Sequence, residues 1–244
     1  MAQQVLTTLQ DQPNAWLRVD KVIDNAASSP QAKFYALQIL DKLIRYRWKS
    51  LPRDTCKSVR NYVVNKVVDL TRTDATLARE RVFVSKLNLV LVQIVKQEWP
   101  AHWRKFMEEI TTASSTSASL CENNMQILAL LSEEVFDFST GQMTQARIVA
   151  LKNQFTQEFS SVFHLCQYVL DQTAELQNSR PSLVLATLHT LRRFLSWIPL
   201  GYIFEMKLIE CLVGLMKVPG LRHAALGCLV EIGSLSISGS AYDK

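Results

Sequence analysis

Apolar residues recur at helical spacing along almost the whole chain. Val59, Val63 and Val67 return at steps of four, which is typical of an amphipathic helix with one buried face. The same rule predicts helices over residues 31–48, 54–72, 82–97, 99–112, 117–136, 143–172, 182–197, 200–217 and 221–235. The stretch 82–97 is apolar on nearly every side, which predicts a helix enclosed by its neighbours.

Tryptophan and proline mark the turns at a regular interval. Trp48, Trp99 and Trp197 are each followed by a proline within four residues, and they are 51 and 98 residues apart. Helix pairs that recur at about 40–50 residues are the signature of HEAT or armadillo repeats. The sequence therefore predicts an all-α solenoid of HEAT repeats, about five helical hairpins in a right-handed superhelix. A single irregular helical bundle is the alternative.

The composition supports the all-α class. The chain has 33 leucines but only 7 glycines among 244 residues, and the first glycine is Gly141. The first half therefore has no glycine-rich nucleotide loop and few of the glycine turns that hairpin-rich sheets use. A net charge of +5 is a mild basic excess, without the dense basic patch of a nucleic-acid-binding protein.

The cysteines indicate a reducing compartment. There are five, the two nearest are 17 residues apart, and no C-x-x-C occurs, which is typical of small apolar core residues. The N-terminus lacks the apolar region of a signal peptide, and no apolar window reaches the ~20 residues that span a bilayer. We therefore expect an intracellular, soluble protein.

Candidate catalytic groups are sparse. His164 and Cys166 are two residues apart on a predicted helix, so they point to different faces and cannot form a dyad within it. His189 has no ligand partner at helical spacing. The pair Glu133 and Glu134 is typical of a solvated helix end. We expect no enzymatic activity, no metal and no cofactor.

Aromatic and basic clusters have a structural and a functional interpretation. Trp99, Trp103 and Phe106 are predicted to pack on one face of the helix 99–112, with base stacking as the minor alternative. The basic clusters Arg192–Arg193 and 45–49 are predicted to be solvated faces, with a partner contact as the minor alternative.

Several segments together resemble a known family. They are KLN at 86–88, LVQI at 91–94, KQEWP at 96–100, LC at 120–121, NNM at 123–125, LLSEEVFDF at 130–138 and FLSWIPLGYIFE at 194–205. They resemble the N-terminal region of the exportins that carry leucine-rich nuclear export signals, within the importin-β or karyopherin family. The resemblance runs from residue 2 to about residue 232, and its longer motifs are specific.

The resemblance implies a function and a domain plan. It implies importin-β-type N-terminal HEAT repeats at 1–73, exportin-like HEAT repeats at 74–235 and a tail or truncation end at 236–244. It implies a nuclear export receptor that binds a Ran-type small GTPase in its GTP form, export cargo with leucine-rich signals and nucleoporins, and that shuttles between nucleus and cytoplasm. Family members are several times longer, and the cargo groove with its reactive cysteine is expected outside this chain. No membrane and no direct nucleic acid are expected, and a nucleic-acid-binding helical-repeat protein is the alternative.

A binding face is predicted from the resemblance and from helix periodicity. If 54–72, 99–112 and 143–172 are inner helices, their polar faces line a concave surface of mixed polarity, which suits a folded protein partner. The candidate GTPase-binding residues on these faces are Asp54, Lys57, Asn61, Asn65, Lys105, Glu108, Gln157 and His164.

Overall fold

The computed structural model describes residues 8, 12–137, 144–172 and 180–235, and these residues form helices and turns without a strand. Two compact units divide between Trp99 and Pro100. The α-helices of the first unit are α1 (Val19–Asp24), α2 (Pro30–Arg47), α3 (Arg53–Thr71) and α4 (Asp74–Glu98). Those of the second are α5 (Phe106–Ser114), α6 (Ala118–Ser132), α7 (Gln145–Asp171), α8 (Pro181–Phe194), α9 (Gly201–Phe204), α10 (Leu208–Leu215) and α11 (Arg222–Gly233).

The first unit has its helices in two layers. Helices α2 and α4 pack against each other in one layer. Helices α1 and α3 belong to the other layer, where α1 packs on α2 and α3 packs on α4. Asp24 at the end of α1 accepts hydrogen bonds from Tyr62 and Lys66 of α3, at 3.2 Å and 2.5 Å. These bonds join α1 to α3 in the second layer.

The second unit repeats this arrangement. Helices α6, α8 and α11 pack in succession to form one layer, and α5, α7 and α10 form the other. Consecutive helices of opposite layers also pack in pairs, as α5 with α6, α7 with α8 and α10 with α11. The prediction of an all-α chain of stacked hairpins is confirmed.

Side-chain caps and prolines begin several of the helices. Ser29, Thr73 and Ser117 each accept a hydrogen bond from the backbone N–H three residues later, at 3.2–3.3 Å. Pro30 and Pro181 occupy the first turn of α2 and α8, where a missing N–H costs nothing.

The helix predicted over 99–112 is shorter than expected, and this corrects the predicted face of Trp99, Trp103 and Phe106. Trp99 is the extended residue that ends α4, with its N–H on the Val95 carbonyl at 2.8 Å, and α5 begins only at Phe106. Pro100 disfavours the helical conformation of the residue before it, so the helix cannot run through Trp99. Trp99 therefore packs in the first unit, while the Trp103 ring meets Phe106 at 5.0 Å in the second.

Other predicted boundaries also change. The helix predicted at 82–97 is already helical from Asp74, the one at 200–217 is interrupted after Phe204, and the one at 182–197 ends at Phe194. The helix predicted at 117–136 ends at Ser132 and continues as a π-helical turn, Glu133–Asp137. The predicted tail or truncation end at 236–244 lies outside the described residues.

An aromatic cluster extends from the core of the second unit to its surface. Trp197 stacks on Phe136 with ring centroids 4.1 Å apart and meets Phe155 and Phe159 edge-on at 5.0 Å and 5.3 Å. Its indole N–H donates to the Ser132 hydroxyl at 3.1 Å. The cluster joins α7 to the turn after α8 and fixes the outward faces of α7.

Candidate partner-binding surface

All eight predicted binding residues are exposed. Four of them lie on α3 in the first unit: Asp54, Lys57, Asn61 and Asn65. The other four belong to the second unit: Lys105 directly before α5, Glu108 on α5, and Gln157 and His164 on α7. Every helix that was predicted to carry the binding face therefore presents polar side chains to solvent.

The polar face of α3 is separate from its buried face. Lys57, Asn61 and Asn65 repeat at steps of four along the exposed side, while Val63 and Val67 on the other side are 0% and 2% exposed. The helix is therefore anchored through its apolar face, and it can contact a partner along about three turns of its polar face.

The second unit brings one pair of candidates together and places a second pair on one helix face. Lys105 and Glu108 approach to 3.9 Å, and because both side chains are about 70% exposed, the contact contributes little to stability. Gln157 and His164 are seven residues apart on α7, which places them on one face two turns apart. The Nδ1 atom of His164 lies 2.6 Å from the Ser160 carbonyl oxygen, which orients the ring along the helix.

A buried carboxylate, which the sequence analysis did not predict, supports the start of α3. Glu98 is 1% exposed and accepts hydrogen bonds from the Trp48 indole N–H at 2.9 Å and from both terminal nitrogens of Arg53 at 3.0 Å and 2.9 Å. The guanidinium of Arg60 lies 3.7 Å from the same carboxylate. The hydrogen bond to Glu98 raises the pKa of Arg53. This cluster ties the α2–α3 turn to the end of α4.

Ion pairs between helices form on the solvated faces that were predicted in the second unit. Arg193 pairs with Glu133 at 2.7 Å, and Arg192 pairs with Glu231 of α11 at 3.0 Å. The prediction of a plain solvated face for these two arginines and for Glu133 is therefore incomplete. Helical periodicity shows which side of α8 faces outward, but it cannot show which side chain of a neighbouring helix lies opposite.

The cysteines match their predicted role as core residues. Cys56, Cys121, Cys166 and Cys228 are buried, and Cys211 is half-buried. Burial raises the pKa of the Cys121 thiol to about 11 and that of Cys228 to about 12, so both are poor nucleophiles at neutral pH. His164 is exposed whereas Cys166 is buried, as their spacing predicted. Within the described parts of the chain, no three His, Cys, Asp or Glu side chains are close enough to hold a metal ion.

Stacked helical hairpins with exposed polar faces define this chain as a HEAT-type helical-repeat protein. Two families match it: the exportin 1-like protein family over residues 80–229 and the importin-beta N-terminal domain over residues 2–69. None of the described helices is long and apolar enough to cross a membrane.

Individual relatives agree with these family matches. Exportin-1 of Dictyostelium discoideum is 47% identical over 99% of this chain, and Exportin-1 of Schizosaccharomyces pombe is 46% identical over 100% of it. Human Exportin-5 is more distant, at 26% identity over 87% of the chain. The chain spans 23% and 22% of the length of the first two relatives. It belongs to the exportin 1-like family.

Proposed function

We propose that this chain is the N-terminal part of a nuclear export receptor of the karyopherin-β class, which binds a Ran-type small GTPase in its GTP form. The exposure of all eight candidate residues, on or directly before α3, α5 and α7, is the observation that carries the proposal. Membership of the exportin 1-like family supplies the class of partner. The receptor shuttles between nucleus and cytoplasm and contacts nucleoporins on the way.

Each unit contributes many weak contacts to the GTPase. The exposed side chains are of mixed sign and polarity, with Asp54 and Lys57 on α3 and Lys105 and Glu108 at α5. A mixed surface of this kind complements the surface of a folded protein better than it complements an apolar peptide or a polyanion. Only the GTP form orders the switch segments of a small GTPase, so the receptor prefers that form.

Export cargo binds elsewhere in the receptor. We place the groove for leucine-rich export signals in the part of the longer protein that lies outside this chain. Four of the five cysteines are buried, so none of those four is suited to the role of the reactive groove cysteine. A labelled leucine-rich signal peptide is therefore expected not to bind this chain at micromolar concentration.

The experiment titrates the chain with the GTPase loaded with GDP or with a non-hydrolysable GTP analogue. We expect weak binding that favours the GTP form, and equal affinity for both forms would contradict the receptor assignment. Charge reversal at Lys57 or Lys105 is expected to weaken binding by about 1 kcal/mol or less each if they are rim contacts. Lys86→Glu is the matched control, because Lys86 is an exposed lysine on α4, in the other layer of the first unit.

A nucleic-acid-binding helical repeat is the alternative. It predicts that affinity for RNA or DNA falls steeply with salt as counterions are displaced from the phosphates. Tight, salt-sensitive binding of an oligonucleotide, together with indifference to the GTPase, would favour this alternative.

A further inference from the structure

Basic charge is concentrated in one segment of the first unit. Between Lys42 and Arg60 the sequence has seven basic residues and one acidic residue, whereas the whole chain has a net charge of +5. The segment covers the second half of α2, the short 3-10 turn Trp48–Ser50 and the start of α3. The basic excess of the chain is therefore local.

Part of this charge is neutralised within the fold. Arg45 pairs with Asp41 at 2.7 Å, one turn earlier on α2. Arg53 and Arg60 share the buried carboxylate of Glu98, at 2.9 Å and 3.7 Å. These three arginines have a structural role.

Of the four remaining cations, Lys42 is half-buried and the other three have no such role. Arg47, Lys49 and Lys57 are exposed, and no carboxylate of the described residues lies within 4.0 Å of their charged nitrogens. Arg47 donates to the Pro13 carbonyl oxygen at 3.0 Å, which orients its guanidinium without neutralising it. We call these three residues, together with Tyr46, the basic corner.

The backbone positions of the basic corner lie around the buried Trp48. Arg47 and Lys49 flank it in sequence, and the Cys56 thiol lies 3.6 Å from the Trp48 carbonyl oxygen, which places the neighbouring Lys57 beside the same turn. Tyr46, which precedes Arg47, is 77% exposed. Exposed tyrosine and arginine, here Tyr46 and Arg47, are residue types that protein interfaces favour.

Helix electrostatics accounts for only one of these three cations. A cation in the last turn of a helix is stabilised by the helix dipole, which explains Arg47 at the end of α2. Lys57 lies near the start of α3, where the dipole disfavours a cation, and Lys49 lies between the helices. The helix dipole therefore stabilises Arg47 but gives no gain for Lys49 and Lys57.

The surface is also held in place before any partner binds. Glu98 fixes Trp48 from inside, and the Ser50 hydroxyl donates to the Arg47 carbonyl oxygen at 2.8 Å. Because the backbone of the turn is already ordered, a ligand has less conformational entropy to remove on binding.

We propose that the basic corner is a docking surface for an acidic segment of a partner protein, a stretch rich in Asp and Glu. Charge complementarity selects the partner, and the Tyr46 ring packs against the aliphatic parts of its side chains. A nucleic acid fits less well, because nucleic-acid-binding proteins that make roughly 6–10 phosphate contacts need a longer basic track than three free cations provide. The corner adds a contact beyond the proposed GTPase faces, with Lys57 as the one shared residue.

The test measures binding of a fluorescein-labelled peptide of alternating Glu and Gly to the full chain by fluorescence anisotropy. A peptide of alternating Gln and Gly shows what binding remains without charge, and a single-stranded oligonucleotide of equal net charge represents nucleic acid. The variant Arg47→Gln/Lys49→Gln avoids the residue shared with the GTPase faces. Arg81→Gln/Lys86→Gln removes the same charge from exposed positions of α4 and is the matched control.

We expect saturable binding of the acidic peptide that the Arg47→Gln/Lys49→Gln variant weakens about threefold to tenfold, with the control within about twofold of the original chain. Tyr46→Ala changes no charge and is expected to weaken binding about fivefold, as for an interface anchor. If both double variants lose the same affinity for the peptide, net charge alone explains the binding and the proposal is overturned. Absence of peptide binding, an unchanged affinity in Tyr46→Ala, or tighter binding of the oligonucleotide would also overturn it.

Discussion

Replacing Glu98 by Ala tests whether a buried carboxylate holds the α2–α3 turn against the end of α4. The substitution leaves the Trp48 indole N–H, in a side chain that is 3% exposed, without the oxygen that accepts its hydrogen bond at 2.9 Å. It also removes the counter-charge of Arg60, whose side chain is 13% exposed. Arg53 is 53% exposed and can return to water, so its loss counts for less.

The magnitude follows from these exposures. Leaving a buried donor unsatisfied costs about 1–3 kcal/mol, and breaking a fully buried ion pair costs about 3–5 kcal/mol. Because one of the two arginines stays solvated, we expect the free energy of unfolding of the first unit to fall by about 3 kcal/mol. Arg53→Ala is expected to cost about 1 kcal/mol, since Glu98 keeps its hydrogen bond to Trp48 and its approach to Arg60.

The assay is urea unfolding followed by far-ultraviolet circular dichroism and tryptophan fluorescence. Two units are present, so each transition is fitted separately where the two probes do not coincide. The double variant Glu98→Ala/Arg53→Ala gives the coupling energy, which we expect to be about 0.5–1.5 kcal/mol for residues in direct contact. If Glu98→Ala lowers the free energy of unfolding by less than about 1 kcal/mol, the cluster does not hold the α2–α3 turn against α4.

Three further predictions test the core. Val63→Asp is expected to lower the free energy of unfolding by about 4 kcal/mol or more, because it buries an unpaired carboxylate in α3. Asn61→Asp on the exposed face of α3 is the control and is expected to change that free energy by no more than about 0.5 kcal/mol. Urea unfolding measures both. Trp197→Ala removes a partly exposed ring that stacks in the aromatic cluster, so it is expected to cost about 2–3 kcal/mol, less than the loss of a fully buried tryptophan. A thermal midpoint unchanged from the original would contradict this. Burial raises the pKa of Cys121 to about 11, so its thiolate forms only well above neutral pH. Iodoacetamide at pH 7 and at pH 9 is therefore expected to label the half-buried Cys211 first in a peptide map, and faster labelling of Cys121 would contradict this.

Periodicity predicted the elements whose apolar faces are long and regular. Helix α3 begins and ends within one residue of its predicted bounds, and Val63 is buried as the stripe required. Each of these inferences depends on residues close together in sequence. Local spacing decides which side of a helix is apolar, and the apolar side is the side that packs.

The failures concern residues whose structure is decided by distant partners or by proline. Trp99 has an aromatic neighbour at helical spacing, Trp103, yet the following proline ends α4 at Trp99 and separates the two tryptophans into different units. Glu98 reads as an ordinary charged residue near a helix end, and its burial depends on Trp48 and Arg53, which are 50 and 45 residues away. The contacts of Arg193 depend likewise on Glu133 of another helix. No local pattern contains that information.

The regular spacing of tryptophan before proline has a physical basis in these contacts. Trp48 and Trp197 each lie in the turn after a long helix, and each indole N–H donates to a side chain of another helix, Glu98 or Ser132. A tryptophan in such a turn fills the space between consecutive hairpins with its ring and orients them through its single donor. The proline that follows ends the preceding helix or lies at the start of the next one, so the turn stays at the same place in each repeat. The spacing of tryptophan before proline in the sequence therefore reflects the contacts between neighbouring hairpins. The same contacts hold α3 and α7 with their polar faces outward.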